Sequence, residues 1–184
     1  MDEEQTYTAF LGSKKIAAGP LGVVLPLVKA KFDENPGDLV FIFNDVSGRH
    51  IDFDLTGSLS EVMERALPRP PRVRPGRPKL GVVSREISLL PRHWEWLEQQ
   101  PSGASAAIRR LIDHARKQNP DKQRTRLAQE AIGQFMTSMA GDLPGYEEAL
   151  RAMYAGNRAQ LEAEIREWPE DIRAHVLRML SDTF

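Results

Sequence analysis

The chain of 184 residues contains no cysteine. This excludes disulfides, thiolate nucleophiles and cysteine-ligated zinc or iron–sulfur centres. No apolar run approaches the roughly 18 residues that a membrane-spanning helix needs, so no membrane partner is expected. The opening stretch, MDEEQTYTAF, is acidic and lacks the basic and apolar regions of a secretory leader. With the absence of cysteine, this gives a cytoplasmic expectation. Also missing are a G-x-x-x-x-G-K-[ST] loop, a strand-following G-x-G-x-x-G, a G-x-S-x-G elbow and an H-E-x-x-H pair. No catalytic residue, cofactor or metal ligand is therefore assigned, and the chain is read as a non-enzyme.

Charge is present but segregated. The formal net charge is −1. Residues 1–67 hold 6 basic and 11 acidic side chains, net −5, and residues 121–184 hold 8 and 11, net −3. Residues 68–120 hold 11 basic and 4 acidic, net +7. The middle third is the part that attracts a polyanion.

The hydrophobic pattern predicts an α+β protein in four sections. Residues 1–67 read as a ββαββ module followed by a short helix. TYTAFLG and KKIAAG are strands joined at GSK. Leu21, Val24, Leu25, Val28 and Phe32 make a helical stripe interrupted by Pro26. LVFIFND is a buried strand, and NDVSG connects it to GRHIDFDL, where Ile51, Phe53 and Leu55 alternate with His50, Asp52 and Asp54. Ser58 with Glu61 forms a capping box. Residues 68–81 are a Pro/Arg linker, because Pro68, Pro70, Pro71, Pro75 and Pro78 tolerate neither helix nor central strand. Residues 120–184 form a helical bundle. Its first helix carries Leu127, Ala131, Ile132, Phe135, Met136 and Met139 on one stripe. Asp142 is a candidate cap for the second helix and Asn157 for the third, and Pro169 opens the fourth.

Residues 82–119 are the most informative. Over 84–89, Arg85, Ile87 and Leu89 alternate with Ser84, Glu86 and Ser88, a strand pattern. Pro91 starts a short helix, QQPSG turns the chain, and Ser105 is a candidate N-cap for a helix with Ile108, Leu111, Ile112 and Ala115 on its apolar side. Strand, short helix, turn and longer helix in this order resemble the ribbon-helix-helix DNA-binding proteins. That resemblance implies a homodimer whose strands pair through residues 82–90 and enter a major groove as a two-stranded ribbon. The sequence departs from the family at the groove face, where Ser84, Glu86 and Ser88 stand in place of amides or basic groups. Its implied DNA contacts are Ser84, Arg85 and Ser88 on or beside the ribbon, and the helix start near Ser105 on a phosphate. RPGRPK is similar to an AT-hook, with Pro75 where the first core arginine belongs. It adds Arg72, Arg74, Arg77 and Lys79 as a basic arm.

Across its length the chain resembles an uncharacterised bacterial domain-of-unknown-function family, number twenty-two thirty-nine. The resemblance rests on GRPKLGVVSREISLLPRHWEWLEQQPSGASAAIRRLI, FMTSMAGDLPGYEEALRAMYAGN and WPEDIRAHVLRML. It implies that the sections belong together and brings no activity with it. The leading expectation is a homodimeric DNA-binding transcriptional regulator, with a protein-interaction adaptor as the alternative. His50, Asp52 and Asp54 share a strand face that could ligate a divalent ion, but a solvated face is the plainer reading. A catalytic role for His93 would need a nucleophile and an orienting acid in space, which nothing nearby suggests, and it is read as a helix-surface or packing residue.

Overall fold

A computed structural model describes residues 5–35, 37, 39–67, 83–118 and 120–181. The chain divides into two units, one of Met1–Arg69 with Arg124–Phe184 and one of Pro70–Gln123.

In the first unit, β1 (Thr6–Leu11) and β2 (Lys14–Pro20) form the hairpin that GSK indicates. Gly12 supplies the left-handed turn residue, at φ +56°. α1 (Leu21–Glu34) follows directly, and Pro26 falls in its second turn. β3 (Val40–Asn44) then pairs antiparallel with β1, giving the order β2-β1-β3. The fourth strand expected after Arg49 reduces to one bridge between Phe43 and His50, with Ile51 N–H donating to the Ile42 carbonyl at 2.8 Å. Beyond Ile51 the segment leaves the ladder. Ile51, Phe53 and Leu55 still pack on the core as their alternation predicts, so burial is kept where pairing is lost. α2 (Leu59–Ala66) starts at the Ser58–Glu61 capping box.

The helices expected after residue 120 are all present: α5 (Pro120–Ala140), α6 (Tyr146–Tyr154), α7 (Arg158–Glu164) and α8 (Glu170–Ser181). Asn157 caps α7 by accepting from Gln160 N–H at 3.1 Å. Asp142 does not cap α6. That role falls to Gly145 at φ +75°, and tight turns fill residues 141–145. Leu127 is half exposed, because the buried part of α5 begins at Ala131.

These helices close over the sheet. Phe10 and Phe43 share a core with Ile132, Phe135 and Met136 of α5, Met153 of α6, Leu161 of α7 and Val176 of α8. Phe135 lies 5.5 Å from Phe10 and 4.9 Å from Phe43, ring centre to ring centre. The opposite face of the sheet, with Tyr7, Ala9 and Ile42, packs on Val24, Leu25 and Val28 of α1 and Val62 of α2. β1 is thus covered on both sides, and the alternation of its side chains assigns each to a layer.

The second unit contains α3 (Pro91–Glu98) and α4 (Gly103–Gln118). Ser102 and Gly103 both take positive φ, +74° and +77°, so the turn between the helices is tight. Ser105 is consequently not an N-cap. α4 begins two residues earlier, and Ser105 lies exposed within its first turn. Residues 83–89 adopt no strand and share no backbone hydrogen bond with another described residue.

One close approach in the first unit tests this packing. Gly48 sits at φ +65°, and a Cβ there would lie 1.8 Å from the Ala131 carbonyl oxygen of α5. Gly12 also has positive φ, but nothing lies within 4 Å of its Cβ position. Gly12→Ala is expected to cost about 1 kcal/mol, from backbone strain alone. Gly48→Ala should cost about 1–3 kcal/mol more, because α5 must move away from the sheet. Urea unfolding of the two variants checks this, and equal losses would mean that α5 does not press on this turn.

Candidate functional site

The predicted site residues fall into three groups. Arg72, Arg74, Arg77 and Lys79 lie outside the described residues. Ser84, Arg85 and Ser88 lie on the unpaired stretch before α3, and all three are exposed. Ser105 is exposed at the start of α4. The structure therefore leaves the described members accessible.

Around them, apolar groups are exposed to an unusual degree. Among described residues 83–118 only Leu97 and Ala107 are buried. Val83, Ile87, Leu90, Trp94, Trp96, Leu111 and Ile112 are all more than a third exposed. Both tryptophans of α3 are thus exposed. Arg110 reaches back to the Pro101 carbonyl at 3.1 Å and braces the turn.

A second cluster, in the first unit, was not anticipated from the sequence. Thr6 and Thr8 lie on one face of β1 and donate their hydroxyls to the two carboxylate oxygens of Asp45, each at 2.8 Å. The Asn44 side chain accepts from Val46 N–H, Ser47 N–H and the Ser47 hydroxyl at 2.9–3.1 Å, which folds the turn and fixes Asp45 beside the strand. From α8, an Arg178 terminal nitrogen approaches Asp45 Oδ1 at 3.3 Å. His175, one turn earlier, is 3% exposed, and its ring centre lies 4.4 Å from that of Phe135 at a tilt of 52°.

The protonation of His175 follows from its neighbours. Arg178 can only donate, and its terminal nitrogen lies 3.2 Å from His175 Nδ1, so Nδ1 must be an acceptor. The proton then sits on Nε2, which is buried without a hydrogen-bond partner and stops 4.0 Å from Asp45 Oδ1. Burial, then the adjacent Arg178 charge, lowers its pKa to about 4, and Asp45 opposes this only in part. The pattern that could have revealed the site is a T-x-T strand with an H-x-x-R helix. Nothing in the sequence says that residues 167 positions apart, Thr8 and His175, would meet.

Elsewhere, His50 Nε2 lies 3.4 Å from Asp52 Oδ1, while Asp54 turns to Thr56 and Arg65. The three do not converge, and no metal-holding cluster occurs among the described residues. His93 is exposed on α3. No helix among the described residues is long and apolar enough to cross a membrane.

The buried imidazole makes stability depend on pH in a definite direction. Its pKa is about 4 in the folded chain against an ordinary value of 6.5. Between those values the unfolded chain binds a proton that the folded one does not, so stability rises with pH across that window. The contribution of about 3 kcal/mol is complete above pH 6.5 and lost as the pH falls to about 4. His175→Phe keeps a ring against Phe10 and Phe135 but cannot be protonated. Its unfolding free energy should fall by about 3 kcal/mol less than that of the parent between pH 7 and pH 4. Parallel pH profiles would show that burial does not lower the pKa of His175.

No curated protein and no solved structure matches the chain. A family model described as an uncharacterized protein conserved in bacteria, DUF2239, matches residues 6–180. That span takes in both units, from β1 to the last turn of α8, and the chain belongs to the DUF2239 family.

Proposed function

We propose that the protein is a homodimeric DNA-binding regulator of the ribbon-helix-helix type, built on the second unit. One observation carries this reading: an unpaired stretch, residues 83–89, leads into a two-helix unit that buries almost nothing of its own. Ordering each residue costs about 1–2 kcal/mol in backbone entropy. Burying Leu97 and Ala107 returns only a few kcal/mol. Such a unit holds its shape when a further surface covers it. A second copy supplies that surface and also an antiparallel partner for the unpaired backbone.

In this arrangement Ser84, Arg85 and Ser88 meet base edges and phosphates in the major groove. The first-turn N–H groups of α4, beside Ser105, hold a phosphate. Arg72, Arg74, Arg77 and Lys79 extend the contact along the backbone, in keeping with the +7 charge of residues 68–120. Glu86 limits affinity and favours contact with cytosine N4.

Fluorescence anisotropy of a labelled mixed-sequence duplex tests the reading. Binding should be measurable at 50 mM salt and weaken about a hundredfold at 200 mM, as about four neutralised phosphates require. Replacing Arg74 and Arg77 by Ala should flatten the log–log salt slope by about 2. Ile112→Glu should yield a monomer in sedimentation and abolish binding. A dimer with no affinity for DNA at 50 mM salt would instead leave the exposed apolar face to another protein, the adaptor role.

A further inference from the structure

Between α6, α7 and α8 of the first unit lies a cleft of about 180 Å³, lined by Ala152, Met153, Gly156, Arg158, Leu161 and Leu180. Ala152, Met153, Leu161 and Leu180 are all at most 5% exposed and form an apolar floor. Gly156 opens the wall, since nothing lies within 4 Å of its Cβ position. Protein interiors are otherwise packed to the density of organic crystals. A dry apolar cavity of about 150 Å³ is large enough for one benzene molecule.

Among the described residues the single charged group lining this cleft is Arg158, and its position runs against local preference. It is the first residue of α7, where a cation opposes the helix dipole. Its partner Glu162 lies four residues later, at 2.7 Å from Nε, which is the weaker order for such a pair. Both side chains are about half exposed, at 57% and 45%, so the pair is held loosely. The bond engages Nε, and the terminal nitrogens of a guanidinium can take a carboxylate bidentately.

We propose that this cleft is a binding site for a small carboxylate whose apolar body is the size of a benzene ring. The ring lies against Met153, Leu161 and Leu180, and the carboxylate pairs with Arg158 at the mouth. The apolar floor provides the contact and Arg158 the selection for an anion. The site stands whether or not the second unit binds DNA.

Titration of the full chain with benzoate, toluene and benzamide, followed by amide NMR, tests it. Benzoate should bind saturably, with shifts centred on residues 152–161 and the last turn of α8, and at least tenfold more tightly than toluene or benzamide. Arg158→Gln, a substitution at an exposed side chain, should weaken benzoate at least tenfold and leave toluene unchanged. Ala152→Leu should fill the cleft and abolish both. The proposal is overturned if benzoate does not saturate, if toluene or benzamide binds as tightly, or if either variant binds benzoate like the parent.

Discussion

The fold depends on a short strand that has no free face. β1 is buried from Tyr7 to Phe10, and its side chains point alternately into two separate layers. Helices α1 and α2 cover one face, and helices from the other end of the chain cover the second. Each layer buries aromatic or branched side chains, and each such burial contributes roughly 1.5–3 kcal/mol. Neither layer substitutes for the other, because a sheet of three strands cannot stand with an apolar face in water. The two ends of the sequence therefore belong to one core, with Phe10, Phe43 and Phe135 at its centre.

A strand buried on both faces also sets the terms for polar groups. Thr8 is fully buried, and its hydroxyl needs an acceptor. Asp45 is that acceptor, and a carboxylate so placed needs a cation at its edge, which Arg178 provides. His175 fits only as a neutral ring, since a second positive charge beside Arg178 would be desolvated as well as repelled. The aromatic face of His175 serves the core through Phe135, while its Nε2 remains unpaired. This cluster ties β1, the turn after β3 and α8 together. It is read as structural.

The second unit shows the opposite balance. Its helices are well formed, with Pro91 at the start of α3 and a tight turn before α4, yet the side chains that would make a core remain exposed. Local signals suffice to shape the two helices, but helices of this length are marginal without tertiary burial. A twin subunit and a polyanion partner are proposed on the basic composition of the stretch ahead of it and on the unpaired backbone of residues 83–89.

The sequence by itself determined the elements whose signals are local. The Ser58–Glu61 box, the Asn157 cap and the apolar stripe from Ala131 to Met139 all reappear where their spacing put them. Family membership was legible too, in motifs spread along the chain. Ser105 and Asp142 misled because capping preference is a weak local bias, and turns built on Gly103 and Gly145 override it. The Thr6–Asp45–His175–Arg178 cluster and the incomplete fourth strand were decided by tertiary structure alone. Periodicity reports which face of an element is apolar, but not which distant segment will cover it. Whether Ile51, Phe53 and Leu55 pair or merely pack depends on a neighbour that no local pattern names.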